Sequence, residues 1–173
     1  NYAHRLGIFS VSVAFAVEEE ILVGVVLDPL KSELFTAVRR RGARLNGRPI
    51  SVSETRAVSE SLLVTGFPYE MGTGLDPTIA RFSRCLTAAQ GMRRLGSAAL
   101  DLCYVACGRF EGFWESDLKP WDTAAGVLIA REAGATVTDY RNQAHRLASG
   151  QLLATNGRIH PEMISLLSIE ETE

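Results

Sequence analysis

The chain has 173 residues, of which 46% are hydrophobic and 22% charged, with a formal net charge of −2. That balance describes a soluble globular protein, long enough to bury a core as one domain or as a piece of a larger one. The charge gives no reason to expect a nucleic-acid or membrane-surface partner, and no apolar run approaches membrane-spanning length. The one basic cluster, Arg39, Arg40, Arg41, Arg44 and Arg48, falls in a turn-rich stretch and reads as solvated edge-strand charge. The opening residues Asn1-Tyr2-Ala3-His4 carry neither a charged leader nor a cleavage site. Cys85, Cys103 and Cys107 are odd in number, sit in apolar surroundings and lack the partners of a zinc set. Buried reduced thiols and a cytoplasmic location are the expectation.

Residues 7–17 (GIFSVSVAFAV) alternate in a β-branched and aromatic run, which predicts a strand. Glu18 to Glu20 form a polar turn, and ILVGVVLDP supplies a second strand ending at Asp28-Pro29. ELFTAVR, from Glu33, reads as a third. Ala43 to Leu45 then leads through Asn46-Gly47, a strong hairpin pair, to the short run Pro49 to Val52. Strands in close succession with short connections predict an antiparallel meander over residues 1–60.

From Ser61 onward strands alternate with helices, so residues 61–173 form a mixed α/β portion. SLLVTGF is a buried strand. Asp76-Pro77 opens a helix through Ala89, with Asp76 as its cap, and the Gly-rich GTG at 72–74 before it reads as loop. After the brief strand MRRLG, Ser97 caps the helix SAALDLCYVACG, closed by Gly108. RFEGFWES is a further strand. The helix after it starts with Asp122 as N-cap and stops at Gly134. ATVTDY and LLATN give two more strands, and PEMISLLS the last helix. The helices at 97–107 and 123–133 are apolar almost all round, so each is covered on two sides, which predicts helices sandwiched between sheets.

No nucleophile triad, G-x-S-x-G elbow or Walker loop is present, and His4, His145 and His160 have no local metal motif. Three stretches carry possible chemistry. Asp122, at a helix mouth, is held ionised by the dipole and by backbone N–H groups, which suits a hard-cation ligand. Gly96-Ser97-Ala98 opens another helix, where free N–H groups can meet ligand oxygens. Glu115 ends a short strand seven residues before Asp122.

These residues carry a resemblance. Trp121-Asp122-Thr123-Ala124-Ala125-Gly126 matches the W-D-x-A-[AG]-G signature of the inositol monophosphatase family. GSAALDL at 96–102 resembles the family segment leading into its buried helix, and Glu115 stands where the family's substrate-binding glutamate does. The opening Asn1 to His4 resembles the residues directly after the family's first metal motif, D-P-[LI]-D-G-T. The likeness runs through essentially the whole chain.

The resemblance implies an α/β layered sandwich of the αβαβα type, shared with fructose bisphosphatase and incomplete at its N-terminus. It implies Mg²⁺-dependent hydrolysis of a phosphate monoester on inositol or a related polyol, and a homodimer. Asp122 would be the catalytic metal ligand, Glu115 would read vicinal hydroxyls, and Gly96, Ser97 and Ala98 would contact the ring. Trp121 would pack behind the loop. The family's other metal ligands, a glutamate and two aspartates, stand upstream of the residue matching Asn1, so the chain reads as a C-terminal portion that is inactive alone. Alternatives are a non-catalytic interaction or dimerisation module, or a phosphatase for histidinol phosphate, fructose bisphosphate or phosphoadenosine phosphate.

Overall fold

The computed structural model describes residues 1–68 and 75–169, so the GTG stretch and the side chain of Asp76 lie outside the described residues. A five-stranded antiparallel meander comes first, with strands β1 (Val11–Val17), β2 (Glu20–Asp28), β3 (Glu33–Val38), β4 (Ala43–Leu45) and β5 (Arg48–Pro49) in that order. The Asn46-Gly47 turn has both φ angles positive, at 49° and 79°, the combination that a tight two-residue hairpin requires. The predicted strand at 7–17 starts only at Val11, because residues 2–4 wind into a 3₁₀ turn. The run predicted from Pro49 stops at once. Ile50 still donates to Ala43, but the Val52 N–H leaves the sheet for the Ala133 carbonyl.

The second sheet holds β6 (Leu62–Thr65), β7 (Gly91–Arg93), β8 (Gly112–Ser116), β9 (Thr136–Thr138) and β10 (Gln151–Thr155), in the order β7-β6-β8-β10-β9. β6 runs parallel to both β7 and β8, whereas β10 is antiparallel to β8 and β9. Both its faces are buried, which is why its strands read as apolar runs with little alternation. The helices are α1 (Leu75–Ala88), α2 (Ala98–Ala106), α3 (Pro120–Glu132) and α4 (His160–Leu167).

α2 and α3 form the layer between the sheets, as their all-round apolar character requires. Two glycines show how tight it is. A Cβ on Gly24 of β2 would stand 2.8 Å from the Ala125 carbonyl oxygen of α3, and one on Gly126 would stand 2.8 Å from the Leu102 side chain of α2. α3 is therefore pressed to the first sheet on one side and to α2 on the other. α1 and α4 cover the far face of the second sheet over Leu63, Trp114, Leu153, Ile159 and Met163. The result is an α/β layered sandwich.

The outer face of the first sheet is nearly all apolar. Strand register aligns Val11, Leu27 and Leu34, then Val13, Val25 and Thr36, then Phe15, Val23 and Val38. Val13 and Phe15 are each more than half exposed there. All three cysteines are free thiols, Cys85 and Cys103 buried and Cys107 partly so, as expected. The basic hairpin is a surface feature in which Arg39 pairs with Glu20. No described helix is long and apolar enough to cross a membrane.

Candidate active site

The carboxyl ends of the parallel strands β6 and β8 open beside the N-termini of α2 and α3, the place where α/β sheets commonly receive ligands. A cavity of about 970 Å³ lies there, lined among others by Gly96, Ser97, Ala98, Glu115 and Asp122. Every residue singled out from the sequence as a site candidate therefore faces one pocket.

Asp122 is not the N-cap that the sequence predicts. Pro120 sets the first turn, because its ring fixes φ near the helical value and its missing N–H is one the helix does not need. Lys119 thus takes the N-cap position and Asp122 becomes the third helical residue. From there Oδ2 reaches back to accept the Lys119 backbone N–H at 3.0 Å, the carboxylate half of a capping box. Oδ1 has no hydrogen-bond partner among the described residues, and Asp122 is one of the residues lining the cavity. The cap bond therefore uses one oxygen and leaves the other unpartnered.

Glu115 alternates with Trp114, which packs under α4, and so points to the inner side of the sheet. The β6–β8 register pairs Thr65 with Trp114, which brings Gly66 alongside Glu115. The Glu115 carboxylate lies directly over Gly66, where any Cβ would overlap it. Burial pushes this carboxyl up to about 7; Arg94 opposes the shift and the charge of Asp122 adds to it. Its oxygens accept no hydrogen bond from a described residue, which leaves them unpartnered beside the cavity.

Ser97 holds the N-cap position of α2, but its hydroxyl caps nothing and lies 3.4 Å from the Ser10 hydroxyl. Gly96 before it has φ of +81°, a conformation that side chains rarely adopt. Ala98 and Ala99 complete the rim, and their small methyl groups leave the helix start open to the cavity.

The expectation for Trp121 is overturned. It is 72% exposed and lines the cavity, because the first turn of α3 lifts it away from the core that Ala124 and Ala125 enter. Sequence reasoning missed several other lining residues, including Asn1, Ser10, Gly66 and Arg94. Only Gly66 had a readable signal, as a glycine ending a buried strand in a strand–helix alternation. Beneath the rim, Asp101 of α2 is buried, and neither of its carboxylate oxygens has a partner among the described residues. Among the described residues no three His, Cys, Asp or Glu side chains converge as a metal cluster. Asp122 lines the cavity at a helix mouth with one carboxylate oxygen unpartnered among the described residues, which fits one contribution to a divalent-cation site.

Residues 1–171 of the chain match the family model described as the inositol monophosphatase family. The chain belongs to the inositol monophosphatase family. It is 46% identical over 168 residues to an inositol-1-monophosphatase of Synechocystis sp., covering 97% of this chain and 58% of that protein. It is 44% identical over 165 residues to a protein named Nus factor SuhB from Haemophilus influenzae, covering 95% of this chain and 62% of that protein. The solved inositol monophosphatase structure from Anabaena (Nostoc) sp. PCC 7120 superposes with a TM-score of 0.92 at 46% identity, covering 96% of this chain and 66% of that one. The chain thus spans about three fifths of the length of these curated relatives, and over that span it has the inositol monophosphatase fold.

Proposed function

We propose that this chain supplies the polyol-recognition side, and one metal ligand, of a Mg²⁺-dependent phosphate-monoester hydrolase acting on inositol monophosphate or a related sugar or polyol phosphate. The observation that carries this reading is the single cavity joining the free Oδ1 of Asp122, the unpartnered carboxylate of Glu115 and the Gly96–Ala98 turn. Asp122 would hold the cation on the leaving-group side while its other oxygen keeps the helix start in place. Glu115 would accept hydrogen bonds from ring hydroxyls, and the small residues at 96–98 would let the ring lie close to the start of α2. When bound, a divalent cation polarises the ester and lowers the pKa of a coordinated water. Mg²⁺ seeks octahedral oxygen coordination from one or two carboxylates, substrate phosphate and waters. One acid cannot by itself organise such a site, so the 173-residue chain alone would turn over at least about 10³-fold more slowly than a protein of the relatives' length.

The test is phosphate release from inositol 1-phosphate, with and without Mg²⁺, by this chain and by a protein spanning the relatives' full length. Metal-dependent release by the longer protein alone supports the reading; equal release by both overturns the division of labour. A panel with fructose bisphosphate, histidinol phosphate and phosphoadenosine phosphate fixes the substrate. The reading takes the protein to be a cytoplasmic homodimer, which sedimentation and cell fractionation check.

A second reading is a non-catalytic interaction module. It draws on relatives that carry the name Nus factor and on the lack of a cluster of three metal-ligating side chains among the described residues. Absence of any phosphate release by the longer protein, with a stable protein complex in its place, would favour it.

A further inference from the structure

Asn1 is a hub between two parts of the chain nearly a hundred residues apart. Its backbone carbonyl accepts the N–H groups of His4 at 3.1 Å and Leu6 at 3.0 Å, which closes the opening turn on itself. Its side-chain Nδ2 donates to Ile8 O at 2.8 Å, Leu95 O at 2.8 Å and, more weakly, Gly96 O at 3.3 Å. The two amide hydrogens thus serve the two short bonds, and Gly96 shares one of them. Among the described residues no other side chain donates to the Leu95 or Gly96 carbonyl. The approach needs glycine at 96 for two reasons. The residue has φ of +81°, and a Cβ there would stand 3.1 Å from Nδ2. Asn1 itself lines the cavity, next to the turn that it holds.

We infer that Asn1 is a positioning residue, whose amide locks the Leu95–Gly96 carbonyls and so fixes the Gly96–Ala98 turn against which a polyol ring is read. The inference rests on the polyol-phosphate reading above for the identity of the ligand, but not for the clamp itself. The chemistry is specific to an amide. A carboxylate at residue 1 has the same shape, donates nothing, and faces three carbonyl oxygens with its own negative charge. Ser97 does not tie the turn through its own cap bond, so the amide of Asn1 is the tether across the Gly96 side.

Asn1→Asp and Asn1→Ala in the 173-residue chain test this with two readouts. Amide hydrogen exchange by NMR reports the turn, and calorimetric titration with inositol 1-phosphate reports the pocket. We expect exchange at Gly96, Ser97 and Ala98 to quicken by about tenfold and affinity to fall by about tenfold, more in the aspartate variant. Exchange in the middle of α3 and the melting temperature stay those of the parent, which a merely structural role would not allow. Unchanged exchange at 96–98 overturns the clamp. Faster exchange with unchanged affinity overturns the positioning role. If neither the parent nor a protein of the relatives' length binds inositol 1-phosphate, the polyol-phosphate reading falls, and the exchange measurement still decides whether Asn1 holds the turn.

Discussion

The carboxylate of Glu115 occupies the space that any side chain at residue 66 would fill. The two residues sit side by side at the carboxyl ends of neighbouring parallel strands, and the absence of a side chain on one lets the acid of the other lie flat against the backbone. Gly66→Ala should therefore act on the pocket more than on the fold. The displaced group is the far end of a flexible side chain, so stability should change by no more than about 1 kcal/mol. Loss of one or two hydrogen bonds to the ligand should weaken inositol 1-phosphate binding by about tenfold. Calorimetric titration beside a urea melt separates the two effects.

Glu115 also sets a pH dependence for binding. With its carboxyl pushed up to about 7 by burial and by Asp122, it is largely protonated at pH 6 and ionised at pH 8. A carboxylate that only accepts hydrogen bonds receives two ring hydroxyls better than a carboxylic acid does. Affinity for myo-inositol, which has no titrating phosphate, should rise as pH passes through about 7. Glu115→Gln should flatten that rise, and titrations at pH 6 and 8 would show it.

Asp122 divides its two oxygens between helix and pocket, which two substitutions can separate. Asparagine keeps an acceptor for the Lys119 N–H, so Asp122→Asn should melt close to the parent while Mg²⁺ binding in the presence of inositol 1-phosphate is lost. Asp122→Ala removes the cap bond as well and should cost about 1 kcal/mol of stability. Denaturant melts and a Mg²⁺ titration are the measurements. Equal destabilisation by both variants would assign the residue to the helix alone.

Asp101 should be a liability to the fold at neutral pH. Burial first, and then the charge of Glu115, push its carboxyl well above the usual aspartate range against the pull of Arg94. The folded state therefore holds this proton more tightly than the unfolded chain, and the penalty grows as pH rises above the ordinary value of 3.8. Asp101→Asn removes the titration. Its stability relative to the parent should improve from pH 4 to pH 8 by up to about 1.4 kcal/mol for each pH unit over which the difference persists. Urea melts across that range would reveal the slope.

His160 works in the opposite direction. Its ring lies between two hydroxyls, Thr138 at 3.0 Å from Nε2 and Thr155 at 2.9 Å from Nδ1, and burial lowers its pKa below 6.5. The neutral ring is thus favoured in the fold, so its contribution is complete above pH 6.5 and is lost as pH falls below that value. His160→Gln should be less stable than the parent at pH 7.5 and should lose less on going to pH 5. Paired melts at the two pH values check both parts.

Much of this molecule could be read along the chain because the signals were local. Asn46-Gly47 announces a hairpin through its tolerance of positive φ, and the run from Ala124 to Ala130 announces a helix with no side for solvent. The error at Asp122 has the same local origin. Aspartate is a good cap, but Pro120 two residues earlier is a stronger mark of the first helical position. The resemblance implies that Trp121 packs behind the loop, whereas its place in the first turn of α3 leaves it exposed. Nothing in the order of residues joins Asn1 to Gly96, or Gly66 to Glu115.

The sequence by itself determined which segments are strands and helices, that two helices need cover on both sides, and, through the Trp121–Gly126 signature, the family. These follow from periodicity, backbone preferences and a distinctive run of residues, all properties of neighbours in the chain. The tertiary structure alone decided that Asn1 and Gly66 stand with Glu115 and Asp122 around one cavity. That convergence depends on strand order, on register between parallel strands, and on how closely two glycines let a helix approach a sheet and its partner helix. Those are distances between residues far apart in the chain, and the order of residues along it does not contain them.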